Sequence, residues 1–163
     1  MRVAVADASS QSHVSGHQAA ALTVGYPTPA SPAASAIMRA NRSSDTGPEL
    51  RLRRLLHAAG LRYRVNYAIR VDDGRRISLD IAFTRGKLAI FVDGCFWHSC
   101  PLHGSVPKNN PNYWPAKLKR NVERDQESTR RLQLAGWEVV RCWEHESPDL
   151  VAMRIVPLAK RGT

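Results

Sequence analysis

The sequence predicts a mixed α/β fold, with elements in the order helix, three strands, helix, strand, helix, packed in layers around one sheet. Three observations predict it. A capped helical repeat opens the ordered part of the chain near Asp45. Short β-branched runs follow between residues 61 and 92. A long helical segment from about Asn112 to Ala135 is then closed by Gly136 and followed at once by the apolar run Trp137–Cys142.

Asp45-Thr46-Gly47-Pro48-Glu49 reads as a helix start, with Asp or Thr as the cap, proline in the first turn and Glu49 at the positive end of the dipole. Leu52, Leu55, Leu56 and Ala59 recur at helical spacing, and Gly60 ends the helix. Strands are expected at Leu61–Val65, Ile77–Phe83 and Lys87–Val92, the last two joined by a turn at Arg85-Gly86. Ile77, Leu79, Ile81 and Phe83 alternate with Ser78, Asp80 and Ala82, which puts the apolar set on one face and Asp80 on the other. In the long helix Trp114, Leu118 and Val122 line one side. The final segment, Pro148 to about Leu158, is expected as a short helix.

At 163 residues the chain suits one domain with a proper core. Residues 1–34 are rich in Ala, Ser, Gly and Pro without sustained periodicity and are expected to be a poorly ordered leader, leaving 35–163 as the folded domain. The leader lacks a basic segment followed by a compact apolar run, so export is not expected. No stretch approaches the ~18–20 apolar residues of a membrane span. The net charge is +10, and Arg2 and Asp7 cancel within the leader, so the excess sits on the folded part. A surplus of this size favours a polyanion, nucleic acid before membrane surface.

Cys95, Cys100 and His103 stand as C-x4-C-x2-H, and His145 follows the last strand. Four nitrogen and sulfur donors suit tetrahedral zinc and would pin a long loop to a distant strand end. Cys142 is the competing fourth ligand, although it sits among Val139, Val140 and Trp143 as a buried thiol would. A Cys95–Cys100 redox pair is a further reading, at a spacing unlike that of thiol oxidoreductases. Asp80 on a strand, followed by a hairpin ending at Val92-Asp93, is the arrangement with which nucleases hold Mg²⁺, and it competes with a solvated strand face. No lysine follows Asp93, so another base is needed, and His98 suits the task unless it is a loop histidine or a zinc ligand. Phe96 and Trp97 either pack beside the metal or wedge into a base stack.

The run Phe91-Val92-Asp93-Gly94-Cys95-Phe96-Trp97-His98, then Cys100-Pro101 and His103, resembles the core of very-short-patch repair endonucleases. Asp45-Thr46 with Glu49, Tyr113-Trp114, Lys117, Asn121, Arg124-Asp125, Gly136-Trp137 and Trp143-Glu144-His145 fall in the family's order, over roughly residues 36–147. The resemblance implies a restriction-endonuclease-like fold, a mixed central sheet flanked by helices with a structural zinc site. It implies one nick, on the 5′ side of the thymine in a T:G mismatch left by deamination of 5-methylcytosine. Asp80 then matches the Mg²⁺-binding aspartate, Val92 a backbone-carbonyl ligand, His98 the catalytic histidine and Glu49 a carboxylate beside the site. Cys95, Cys100, His103 and His145 match the zinc ligands, Phe96 and Trp97 the intercalating aromatics, and Met38 a wedge from the opposite groove. Valine stands at 92 where threonine is common, and Ile77-Ser78-Leu79 precede Asp80 where the family often has Gly-Arg-Pro. A monomer in the cytoplasm at the nucleoid is expected, with double-stranded mismatched DNA and mismatch-repair proteins as partners. The alternatives are a zinc-stapled DNA-binding module without catalysis and a related nuclease with another DNA substrate.

Overall fold

Local sequence sets each element's ends, and two-sided burial sets how they stack. The computed structural model describes residues 45–71, 74–108 and 110–162. Helix α1 spans Gly47–Ala58, capped by Thr46, whose hydroxyl accepts the Glu49 N–H at 3.5 Å. Gly60, at φ +81°, takes the left-handed turn that ends it. Strands β1 (Arg64–Arg70), β2 (Arg76–Phe83) and β3 (Leu88–Asp93) follow, then α2 (Trp114–Leu134), β4 (Glu138–Trp143) and α3 (Pro148–Arg161). The strands form one sheet in the order β1-β2-β3-β4. β1–β2 and β2–β3 are antiparallel, while β4 joins β3 in parallel after the α2 crossover.

The mixed sheet and the order of elements agree with the sequence reading; three details do not. The first strand lies at Arg64–Arg70 rather than Leu61–Val65. Leu61 instead closes the α1 end, its N–H bonded to Leu56 O and its side chain buried. The last helix runs on past Leu158 to Arg161, carrying Pro157 within it.

The third correction concerns the alternation in β2. Ile77 and Leu79 pack with Ala82, Ala89, Phe91 and Leu132 on the α2 side. Ile81 and Phe83 pack with Leu52, Leu56, Val151 and Ile155 between the sheet and helices α1 and α3. Both faces are covered, so apolar residues no longer report a single side. The switch falls at Asp80. The β1–β2 register steps from Val65↔Ile81 to Tyr67↔Leu79, skipping Asn66, which sits at φ +48°. Asparagine tolerates that left-handed conformation better than most residues. Among the described residues no helix is long and apolar enough to cross a membrane.

Candidate active site and metal centre

The sheet opens where β2 carries Asp80. Paired residues of β2 and β3 run from Phe83↔Leu88 to Ile81↔Ile90 and stop there. Beyond that point the Asp80 carboxylate stands in for the ladder, its Oδ2 accepting the Val92 N–H at 2.8 Å. Burial pushes the Asp80 carboxyl up to about 6, against the pull of that hydrogen bond. The carboxylates of Glu49 and Asp93 push the same way, and Arg141 opposes them. Glu49, on the first turn of α1, is buried with Oε1 3.1 Å from Arg53 Nη1. Acids gathered at the end of an open hairpin form a locus where a divalent cation relieves repulsion. Asp80, Glu49 and Val92 thus share one corner.

His98 belongs to the loop after β3. Its N–H bonds to Gly94 O at 3.1 Å, winding the loop into a turn that aims the ring at α2. Nδ1 lies 2.5 Å from Asp125 Oδ2 and 3.5 Å from Asp93 Oδ1. An imidazole bonded to carboxylates through Nδ1 is left with Nε2 to exchange a proton. Burial lifts the Asp125 carboxyl, but the His98 hydrogen bond and the charges of His98, Arg141 and Arg124 more than offset it and hold the group below its ordinary value. Arg141, from β4, grips both oxygens of buried Asp93, Nε to Oδ2 at 2.7 Å and Nη2 to Oδ1 at 2.6 Å. Its charge is held despite burial. Both oxygens of the Asp93 carboxylate are therefore occupied by an arginine. An open cleft of about 430 Å³ lies beside this network, lined by His98, Asp125, Thr129, Arg141 and Trp143 among others.

The four Cys and His donors converge. Cys95 Sγ lies 3.1 Å from His145 Nδ1 and 4.0 Å from His103 Nδ1, and Cys100 Sγ lies 3.8 and 3.9 Å from the same atoms. Tetrahedral zinc, with bonds of about 2.0–2.3 Å, sets its ligand atoms roughly 3.4–3.8 Å apart. Burial, reinforced by Cys100 alongside, pushes the Cys95 thiol up to about 11, so the Cys95 sulfur is a thiolate only beside a cation. The donor set therefore fits a bound metal of this kind. Backbone contacts build the site. Cys100 N–H bonds to Cys95 O at 2.9 Å, and Glu144 N–H extends the parallel ladder to Asp93 O at 2.9 Å. The Glu144 carboxylate accepts the Cys95 N–H at 2.6 Å, bringing His145 over the sulfurs. Gly104 is required after His103, since a Cβ there would stand 2.4 Å from Cys100 O. Cys142 is outside the cluster, its thiol donating to Phe91 O at 3.3 Å.

Phe96 and Trp97 are half-buried. They pack edge-on to each other at 4.9 Å, and Phe96 packs on Trp114 at 5.3 Å, while Asn121 Nδ2 donates to Trp97 O at 3.0 Å. Met38 lies outside the described residues. Sequence reasoning gave no role to Asp125, Asn121 or Arg141. A signal existed: Asn121 and Asp125 interrupt the apolar stripe between Leu118 and Leu132, and Arg141 interrupts Val139-Val140 and Cys142.

An acid-lined corner able to take a cation, next to a carboxylate-oriented imidazole on a chain of net charge +10, suits the hydrolysis of a polyanionic phosphodiester; by class the protein is a nuclease. The family model described as DNA mismatch endonuclease Vsr matches residues 29–102. The chain is 50% identical over 128 residues to the type II nicking enzyme V.NaeI of Lentzea aerocolonigenes, covering 78% of this chain and 77% of that protein. It is 39% identical over 119 residues to the type II nicking enzyme V.XorIIP of Xanthomonas oryzae pv. oryzae, covering 72% and 83%. It is 40% identical over 109 residues to the DNA mismatch endonuclease Vsr of Escherichia coli (strain K12), covering 66% of each. The chain belongs to the Vsr family of DNA-repair endonucleases and is a DNA endonuclease. The reading of a DNA-binding module without catalysis is thereby set aside.

Proposed function

We propose that this endonuclease nicks one DNA strand on the 5′ side of the thymine at T:G mismatches arising from deaminated 5-methylcytosine, with Mg²⁺ at Asp80. The observation that carries the reading is the half-buried Asp80 carboxylate at the opened hairpin, raised to about 6 next to Glu49. Asp80 and the Val92 carbonyl would hold Mg²⁺, which when bound would supply charge neutralisation at the phosphate and acidify water. Glu49, whose charge already acts on Asp80, would add to the negative potential that holds the cation. His98 takes the proton of the attacking water at Nε2, its ring kept in place by Asp125. Cys95, Cys100, His103 and His145 hold a structural zinc that ties the His98 loop to the end of β4. Phe96 and Trp97 wedge into the base stack at the mismatch from their seat on Trp114, and Met38 enters from the opposite groove.

The wider reading is a restriction-endonuclease-like domain assigned to 35–163, acting as a cytoplasmic, nucleoid-associated monomer with mismatch-repair proteins as candidate partners; the leader expected at 1–34 lies outside the described residues. A strand-specific nicking assay tests the substrate. In Mg²⁺ the protein should cut one strand of a T:G duplex and leave the matched duplex intact, and Asp80→Ala and His98→Ala should bind without cutting. Binding of the T:G duplex with no nick in Mg²⁺ would defeat the proposal. The relatives named as type II nicking enzymes favour one second reading, another DNA substrate for the same chemistry, which cutting of other mismatched or matched duplexes would support.

A further inference from the structure

We propose that Arg141 is a positioning residue of the nicking reaction: it holds Asp93 and Asp125 on the Nδ1 side of His98 and so gives the imidazole a single orientation. The inference rests on the reading of His98 as the base. Arg141 is the one charge in the otherwise apolar run Val139–Cys142 of β4. Its fork takes both oxygens of Asp93, at 2.7 and 2.6 Å, and the same Nη2 lies 3.6 Å from Asp125 Oδ2. Nη1 reaches Asp125 O and Thr129 Oγ1 at 3.5 Å each, and the guanidinium lies over the Phe91 ring, 4.7 Å from its centre. Contacts from β3 and α2 thus fix the side chain from several directions.

The charges explain the need. Two carboxylates face one ring nitrogen, Asp125 at 2.5 Å and Asp93 at 3.5 Å. Unshielded, they repel each other, and one withdraws from the ring. Arg141 is the shared cation between them. With Asp93 saturated by the arginine, Asp125 is the carboxylate left to orient His98. Lysine cannot replace this grip, because a single ammonium cannot take both Asp93 oxygens and still span to Asp125.

The test compares Arg141→Met, Arg141→Lys and the double variant Arg141→Met/Asp93→Asn with the unaltered protein. Single-turnover nicking should fall about 10²-fold in Arg141→Met, the scale expected when a reacting group is misplaced, while duplex affinity stays within about twofold. Arg141→Lys should restore little. The double variant should regain part of the rate, because the uncompensated carboxylate is gone. Imidazole ¹H–¹⁵N spectra of the magnesium-free protein should show the His98 Nδ1 resonance moved or broadened in Arg141→Met. Nicking at the unaltered rate, a parallel loss of affinity and melting temperature, or an unchanged His98 resonance overturns the proposal. Should His98→Ala nick normally, the base reading fails by itself, and the ring resonances still decide whether Arg141 holds the imidazole.

Discussion

Replacing Asp80 by asparagine should make the magnesium-free protein more stable at neutral pH while abolishing nicking. The folded state holds the Asp80 proton up to about 6, whereas an ordinary aspartate releases it near 3.8. Between those values the native state binds more protons than the unfolded chain. Stability therefore falls as pH rises through that window and stays lower above it. About two pH units at roughly 1.4 kcal/mol each sets an upper limit of about 3 kcal/mol. Glu49 and Asp93 share the repulsion, so a measured value of about 1–3 kcal/mol is expected. Asparagine keeps an oxygen for the Val92 N–H, which is 2.8 Å from Asp80 in the native protein, so the change isolates the charge. Urea unfolding in magnesium-free buffer at pH 4.5 and 7.5 provides the assay. The Asn variant should gain over the native protein at pH 7.5 and gain less at pH 4.5, and added Mg²⁺ should stabilise only the native protein. A gain independent of pH, or none at pH 7.5, would refute the view of Asp80 as a carboxylate held charged against its surroundings.

Cys100→Ser should strip bound zinc from about one per chain to near none and destabilise the fold by several kcal/mol, read by metal analysis and thermal melting. Asp125→Asn, which weakens the 2.5 Å contact to His98, should slow single-turnover nicking about 10²-fold with duplex binding retained, measured by quench kinetics and fluorescence anisotropy. Leu132→Ala, at a fully buried position between α2 and the sheet, should cost about 2–5 kcal/mol in denaturant unfolding and leave zinc content unchanged.

Short-range chemistry was written in the sequence. The cap at Thr46, the stop at Gly60, the long helix ended before Gly136 and the order of elements all depend on a few neighbouring residues, and the folded chain keeps them. The C-x4-C-x2-H spacing pointed to a gathering of metal-binding donors, and the folded chain brings those side chains together. Tertiary structure alone decided the rest. The split of Ile77 and Leu79 from Ile81 and Phe83 arises from helices on both faces of the sheet, which no alternation along one strand encodes. The sequence already favoured His145 over Cys142 as the fourth donor, but how it gets there is tertiary: the parallel ladder continues from Asp93 to Glu144 and carries the chain over the sulfurs. The partnership of Asp93 with Arg141 and of His98 with Asp125 joins residues 48 and 27 positions apart. Charges that far separated meet only when a sheet and a crossover helix bring them together, so their pairing is a property of the packing.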